Sequence, residues 1–292
     1  MFRQSNDALN PSAFSLEAAE SWALETAWKL PPQPFRLTAF WHIDFIRQPV
    51  PQERKTRYTI RLAQSENYGL ACGLKPAVAD LNPDFVGKDV RQILNDGLCR
   101  DRIDRTALVD LIMGHLSESA SEYITLDSTL RDKYVDRARI FANEAEKIIE
   151  RKGLGTLKGG GARILVIGAT AGIIGVLIKR GFDVSATDLS PAIVGMELGG
   201  VKVRNAEFAN TSLMKKADLA IITGMTLPNR TLPGLMELAK KYNTSTMIWA
   251  ITGRNFGRYY IDHGADCVIS DPSPFLLLPG SATFAIHRRD LP

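Results

Sequence analysis

The chain has 292 residues, 45% hydrophobic and 23% charged, with a formal net charge of +4, an ordinary globular composition in a length that accommodates two domains. Up to residue 157 there are 21 basic against 22 acidic residues, and beyond it 15 against 10; no Lys/Arg run or basic-aromatic stripe accompanies that excess, which argues against a nucleic-acid partner. No apolar run approaches about eighteen residues and no charged-then-apolar leader opens the chain. Cys72, Cys99 and Cys267 lack any C-x-x-C pairing, so a cytoplasmic protein without a membrane partner or a disulfide framework is expected.

In chain order, Ser15 caps a predicted helix that runs to Leu30 and is ended by Pro31, Pro32 and Pro34. Trp22 and Trp28 fall on different sides of it, so it reads either as a helix docked on the core or as a lid over a ligand pocket. Phe35 to Ile46 and Thr56 to Leu62 read as strands, the second from the alternation of Tyr58, Ile60 and Leu62 with Arg57, Thr59 and Arg61. Pro49 to Lys55 suits a hairpin connection, and Tyr68 to Gly73 adds a short strand. Helices follow near 88–95, 104–118 and 128–151, which makes residues 1–157 a small α+β domain.

After Gly159-Gly-Gly161, strands near 163–167, 183–187, 218–222, 246–251, 267–270 and 282–287 alternate with helices near 172–180, 191–197, 231–241 and 256–262. This predicts a doubly wound, Rossmann-like α/β domain over residues 158–292. Its most informative stretch is Ile164-Leu-Val-Ile-Gly168-Ala-Thr170-Ala-Gly172-Ile-Ile-Gly175, followed by Phe182 to Asp188-Leu189-Ser190-Pro191. Gly168 ends the strand at a sharp turn, and Gly172 and Gly175 let the helix start close to ligand and sheet. Asp188, at the end of the second strand, is placed to accept both ribose hydroxyls of a nucleoside, which disfavours a 2′-phosphorylated cofactor.

Thr170 stands where a dinucleotide fingerprint has its middle glycine, which weakens a pyrophosphate fit. Asp188-Leu189-Ser190-Pro191 resembles the acid-bearing strand end of class I S-adenosylmethionine-dependent methyltransferases. S-adenosylmethionine is therefore the expected cofactor, with Asn205 or Glu207 near its adenine. The loops after the later strands, Thr223 to Thr231 and Thr252 to Asn255, are rich in hydroxyl and amide groups. Thr223, Thr226 and Asn229 are the candidate catalytic residues, although turn and cap chemistry explains half of such groups.

Ile221-Ile-Thr-Gly-Met-Thr-Leu-Pro-Asn-Arg-Thr-Leu-Pro-Gly-Leu-Met-Glu-Leu238 resembles the signature of a Rossmann-like family known as "putative heavy-metal chelation". The resemblance covers about residues 160–290. It implies an enolase-N-terminal-like α+β domain before the nucleotide-type sheet, and Arg57 to Leu74 is similar to that domain. Thr252-Gly253-Arg254-Asn255 stands where the family usually has a glycine-proline-serine run. A soft metal would need three or four converging thiolates or imidazoles; His263 and Cys267 are the only close pair, and His42, His115 and His287 stand alone, so no metal site is assigned.

No Ser-His-Asp, H-E-x-x-H, P-loop or N-P-P-Y pattern is present. The sequence thus predicts an S-adenosylmethionine-using enzyme acting on a small molecule, compatible with a homo-oligomer. The reaction is methyl transfer, or attack on the aminobutyrate arm with release of methylthioadenosine, as in azetidine-2-carboxylate formation. An NAD-linked oxidoreductase and a non-catalytic metal-chelate or nucleotide binding protein are the alternatives.

Overall fold

Ser15 starts the first helix as its sequence requires: its hydroxyl accepts the Ala18 N–H at 3.1 Å, and α1 spans Leu16–Ala27. In the computed structural model, which describes residues 10–47, 56–74, 85–116, 119–153, 161–273 and 280–289, this helix lies flat on the core. Leu16, Ala19, Ala23 and Ala27 are at most 1% exposed. Three alanines on one stripe let α1 approach α3 (Arg102–Leu116) closely, and Glu20 pairs with Arg105 while Glu17 pairs with Arg102. The docked reading of this helix therefore describes its packing.

Alternation over β1 (Ala39–Arg47), β2 (Thr56–Gln64) and β3 (Tyr68–Leu74) produces an antiparallel sheet in the order β1-β2-β3. The first of these strands begins four residues later than predicted, because Gln33–Phe35 form a 3-10 turn. The hairpin connection expected at 49–55 lies outside the described residues. Arg61, 1% exposed, turns to α3 and binds Asp104 at 2.5 Å, where His42 also reaches the carboxylate at 3.3 Å. α2 (Val90–Asn95) is capped by Asp89.

From β4 (Glu122–Leu126) onward the elements build the large sheet: α4 (Leu130–Arg151), β5 (Arg163–Ile167), α5 (Ala171–Lys179), β6 (Asp183–Asp188), then a hairpin of β7 (Glu197–Leu198) and β8 (Val201–Lys202). There follow β9 (Arg204–Asn205), α6 (Ala206–Met214), β10 (Leu219–Thr223), α7 (Leu232–Tyr242), β11 (Ser245–Ala250), α8 (Gly257–Asp262), β12 (Cys267–Ser270) and β13 (Ala282–Arg288). The strand order is β4-β13-β12-β11-β10-β5-β6-β9. β9, β6, β5, β10, β11 and β12 run parallel, and β13 and β4 close one edge antiparallel. The protein is thus mixed α/β, with a large, mostly parallel sheet and a smaller antiparallel one.

β4 and α4, which precede the predicted boundary at residue 157, belong spatially to the large sheet. Phe141, Ala145, Ile148 and Ile149 of α4 share a core cluster with Ile164, Val166, Ile221 and Ile269. The boundary itself falls among residues outside the description. One expected element is corrected: residues 191–197 do not form a helix but a turn leading into the β7–β8 hairpin. Gly195, Gly199 and Gly200 all take positive φ, 89°, 60° and 91°, a run that only glycine-rich backbone adopts cheaply. α6 then follows where no helix was expected, capped by Asn205.

Candidate functional site

The chain runs from β5 outward through β6 to β9, then returns to the opposite side of β5 at β10. Strand order therefore reverses between β5 and β10, and the carboxyl ends flanking such a reversal are where open parallel sheets take ligands. Gly168 ends β5 with φ 92°. A Cβ there would stand 2.5 Å from Thr223 Cγ2, so a glycine is needed for the two strand ends to meet. Thr223, the last residue of β10, is half-buried.

The first turn of α5 differs in kind. Gly172 is exposed, and a Cβ built on it would meet nothing within 4 Å. Glycine there weakens the helix by roughly 0.5–1 kcal/mol relative to alanine with no gain in packing. Thr170 occupies the cap position without making a side-chain cap bond. Behind it the hairpin tip packs on the helix through Gly199, where a Cβ would stand 2.8 Å from the Ala171 oxygen and the Gly175 nitrogen.

Asp188 reaches back to this loop. Its carboxylate accepts the Ala169 N–H at 3.0 Å through Oδ2 and the Ser190 N–H at 2.7 Å through Oδ1. It thereby ties the β5 turn to the end of β6. Asn205 is the register partner of Asp188 across the β6–β9 pair, and its side chain accepts the Glu207 N–H at 2.9 Å. Leu189 is 36% exposed whereas Ser190 is 2% exposed.

Gly168, Thr170, Gly172, Asp188, Asn205 and Thr223 thus lie along one edge of the large sheet. Two of the three candidate catalytic residues are committed elsewhere. Thr226, 3% exposed, donates its hydroxyl to the Thr223 carbonyl at 2.6 Å. Asn229 accepts both the N–H and the hydroxyl of Thr231, at 3.1 and 2.7 Å. Both do turn chemistry, which leaves Thr223 as the hydroxyl at the ends of β5 and β10.

The small sheet covers the neighbouring strand end. The loop after β11 is bound along the edge of β3: Gly253 N–H donates to the Leu70 carbonyl at 3.1 Å, and Cys72 N–H donates to Thr252 Oγ1 at 2.8 Å. Asn255 donates its N–H to Asp110 Oδ1 at 2.8 Å, and its amide donates to the carbonyls of Tyr68 and Asp110 at 2.8 and 2.9 Å. Asp110, fully buried in α3, also accepts the Leu70 N–H at 2.8 Å. Burial pushes its carboxyl up to about 8, against the backbone bonds that favour the anion. Its signal in the sequence is an acid inside the run Leu108-Val-Asp-Leu-Ile-Met113.

Residues 154–253 match the family DUF364, described as "Putative heavy-metal chelation". A protein of that family from Pyrococcus horikoshii, of unknown function, superposes with a TM-score of 0.54 at 12% identity, covering 94% of this chain and 99% of its own. Another, from Desulfitobacterium hafniense DCB-2, gives 0.53 at 14% identity, covering 92% and 98%. Those two structures support a shared fold across both sheets. No curated protein matches the chain.

The metal chemistry in that description can be tested on this chain's donors. Among the described residues no group of three or more His, Cys, Asp or Glu side chains is placed to hold an ion. Burial pushes the thiols of Cys72 and Cys99 up to about 12 and that of Cys267 higher still. His263 Nδ1 lies 2.7 Å from the Tyr259 carbonyl, and burial pushes His287 down to about 4. No heavy-metal centre is assigned among the described residues. Nor is any helix among them long and apolar enough to cross a membrane.

Proposed function

We propose that the carboxyl edge between β5 and β10 binds a nucleoside with a cationic arm, S-adenosylmethionine being the ligand to test, and that the protein uses it on a small molecule. The observation that carries this reading is Gly172, a helix-weakening residue on the first turn of α5 whose missing side chain leaves open space. Its smallness is explained by something that approaches the backbone from outside. The unpaired N–H groups of that turn face the same approach.

Charge favours a cation over a dinucleotide. The Asp188 carboxylate lies 3.0 Å behind the Ala169 amide, so the first donor of the loop is already spent and a negative charge stands beside it. A pyrophosphate would meet that charge repulsively, whereas a sulfonium nucleoside would gain from it. Thr170 brings a branched side chain to the position where phosphate oxygens would need bare backbone.

Bound S-adenosylmethionine would supply a carbon already attached to a good leaving group. The protein then needs chiefly to hold and orient the reacting partners. Asp188 and Asn205 would face the sugar and base, the Gly168–Gly172 turn the amino-acid end, and the Thr223 hydroxyl the reacting side. Calorimetric titration with S-adenosylmethionine and with NAD, followed by separation of products, tests the reading. Heat with the sulfonium nucleoside, and its conversion to methylthioadenosine or adenosylhomocysteine, is expected; heat with NAD alone would overturn it.

A further inference from the structure

Four residues beyond the last strand position of β11 lies a cation that the protein does not satisfy. Arg254 Nε and Nη1 are enclosed, and neither has a hydrogen-bond acceptor. The guanidinium carbon sits 4.5 Å from the Tyr68 ring centroid, so one face of the group is stacked. Burial lowers its pKa to about 10, opposed by nearby Asp271.

Asp271 cannot serve as its partner, because it is fully buried and fully used. Its Oδ2 accepts Trp249 Nε1 at 3.0 Å and lies 3.0 Å from Arg137 Nε. Its Oδ1 accepts the N–H and hydroxyl of Ser273 at 3.0 and 2.8 Å. Arg137 is close enough to count as an ion pair, but its Nε also lacks an aligned acceptor. Asp271 thus serves Arg137, Trp249 and Ser273, and the buried donors of Arg254 are left over.

Leaving a buried guanidinium unanswered is costly, and the loop carrying it is held firmly. Ser270 Oγ donates to the Arg254 carbonyl at 2.5 Å, and the residues on either side are bound to β3 and α3. Beside it lies an apolar cluster separate from the two main cores: Ile60, Leu62, Leu70 and Cys72, with Tyr68, Met225 and Ile251 partly exposed against them. A charged donor group next to an apolar wall at the carboxyl edge of a parallel sheet suits a small molecule with an anionic head.

We propose that Arg254 is a receptor for the carboxylate or phosphate of a small molecule seated between β3 and the carboxyl edge of the large sheet, its planar fork taking two oxygens at once. The molecule's body would lie against the partly exposed Tyr68, Met225 and Ile251, and a turn of the partly exposed Arg254 side chain would present Nε and Nη1 to it. The inference deepens the reading above, in that the anion would belong to the molecule handled beside Thr223, but the receptor is testable without any nucleoside.

The test is calorimetry on the full chain with inorganic phosphate, benzoate and, as the uncharged control, benzamide. Wild type should give saturable heat with phosphate or benzoate and none with benzamide; the anion preferred assigns the head group. Arg254→Lys should bind about 10- to 100-fold more weakly, as expected for a lost charged hydrogen bond, and Arg254→Met should not bind. Should Arg254→Met fail to fold, Arg254→Lys and Tyr68→Leu carry the test, the latter weakening binding through the loss of the stacked face. No binding to wild type, or equal binding to the variants, overturns the receptor. Anion binding without adenosylmethionine binding would sink only the nucleoside reading, and the reverse result only this one.

Discussion

The loop after β5 and the loop after β11 leave the same edge of the large sheet, yet they are held very differently. The first is tied by one carboxylate, Asp188, and otherwise ends in an exposed helix turn with an unused capping threonine. The second is fastened to a neighbouring sheet and helix by buried bonds through Thr252, Gly253 and Asn255. In the first, the unspent groups are backbone N–H donors and empty space; in the second, a guanidinium. Counting polar residues along either loop would not separate them, since Thr226 and Asn229 are as polar as Thr223 and are consumed internally. What distinguishes the two loops is the capacity left over after the fold has taken its share.

If the second loop depends on its neighbours, damage to the small sheet should reach it. Gly69 of β3 presses on α3 so closely that a Cβ would overlap the Ala107 carbonyl oxygen and the Leu111 nitrogen. Both are backbone atoms that cannot step aside. Gly69→Ala is expected to cost about 4 kcal/mol or more in urea unfolding; a change within about 1 kcal/mol would show that β3 and α3 are not rigidly joined.

Next in size is Asp110→Ala. It strips the acceptor from the Leu70 and Asn255 N–H groups in a site with no exposure, at about 2–4 kcal/mol for two orphaned donors. The loop's own substitution, Thr252→Val, should cost less, about 1 kcal/mol, because it orphans one donor, the Cys72 N–H. If the ranking of the two reversed in chemical denaturation, the loop and not the helix would be the anchor.

The same carboxyl gives a pH signature. Its pKa is about 8 in the folded state against 3.8 as the ordinary value, so between those limits the native state holds a proton that the unfolded chain has released. Stability from this group is full below about pH 4 and is lost as pH rises through 8. His287, pushed down to about 4, works in the opposite sense below about pH 6.5. His42 and His115, also lowered by burial, act as His287 does, so the difference between wild type and Asp110→Asn from pH 6.5 to 8 is what reads Asp110, with an expected loss of ~2 kcal/mol. Asp110→Asn should flatten that slope; an unchanged slope would place the proton elsewhere.

Much of the large sheet was legible because its strands are continuous apolar runs and its turns carry glycine at positive φ, two signals with direct backbone causes. The strand-end positions of Gly168, Asp188 and Thr223 were legible for the same reason. The hairpin at 197–202 was not, since Ala192-Ile-Val-Gly-Met-Glu-Leu198 carries the apolar spacing of a helix and only the three-dimensional run of positive φ reveals otherwise. The attachment of α4 to the second sheet was hidden too, because chain proximity to a glycine-rich junction says nothing about packing. Arg254 was hidden for a third reason: whether an arginine has a partner depends on residues such as Tyr68 and Asp271 that are distant in sequence.

The smallest expected effect separates the two loops most sharply. At Gly172 the helix tolerates a side chain, since nothing lies within 4 Å of a Cβ, so Gly172→Ala should raise stability by roughly 0.5–1 kcal/mol through better helix propensity. If the first loop is open because a ligand's backbone-hugging arm needs the room, the same substitution should weaken adenosylmethionine binding, while benzoate binding near Arg254 stays unchanged. A variant that is more stable and still binds the nucleoside as tightly as wild type would mean that the opening at α5 is unused. In that event the pinned loop, with its unanswered guanidinium, would be the better candidate for where this protein meets its ligand.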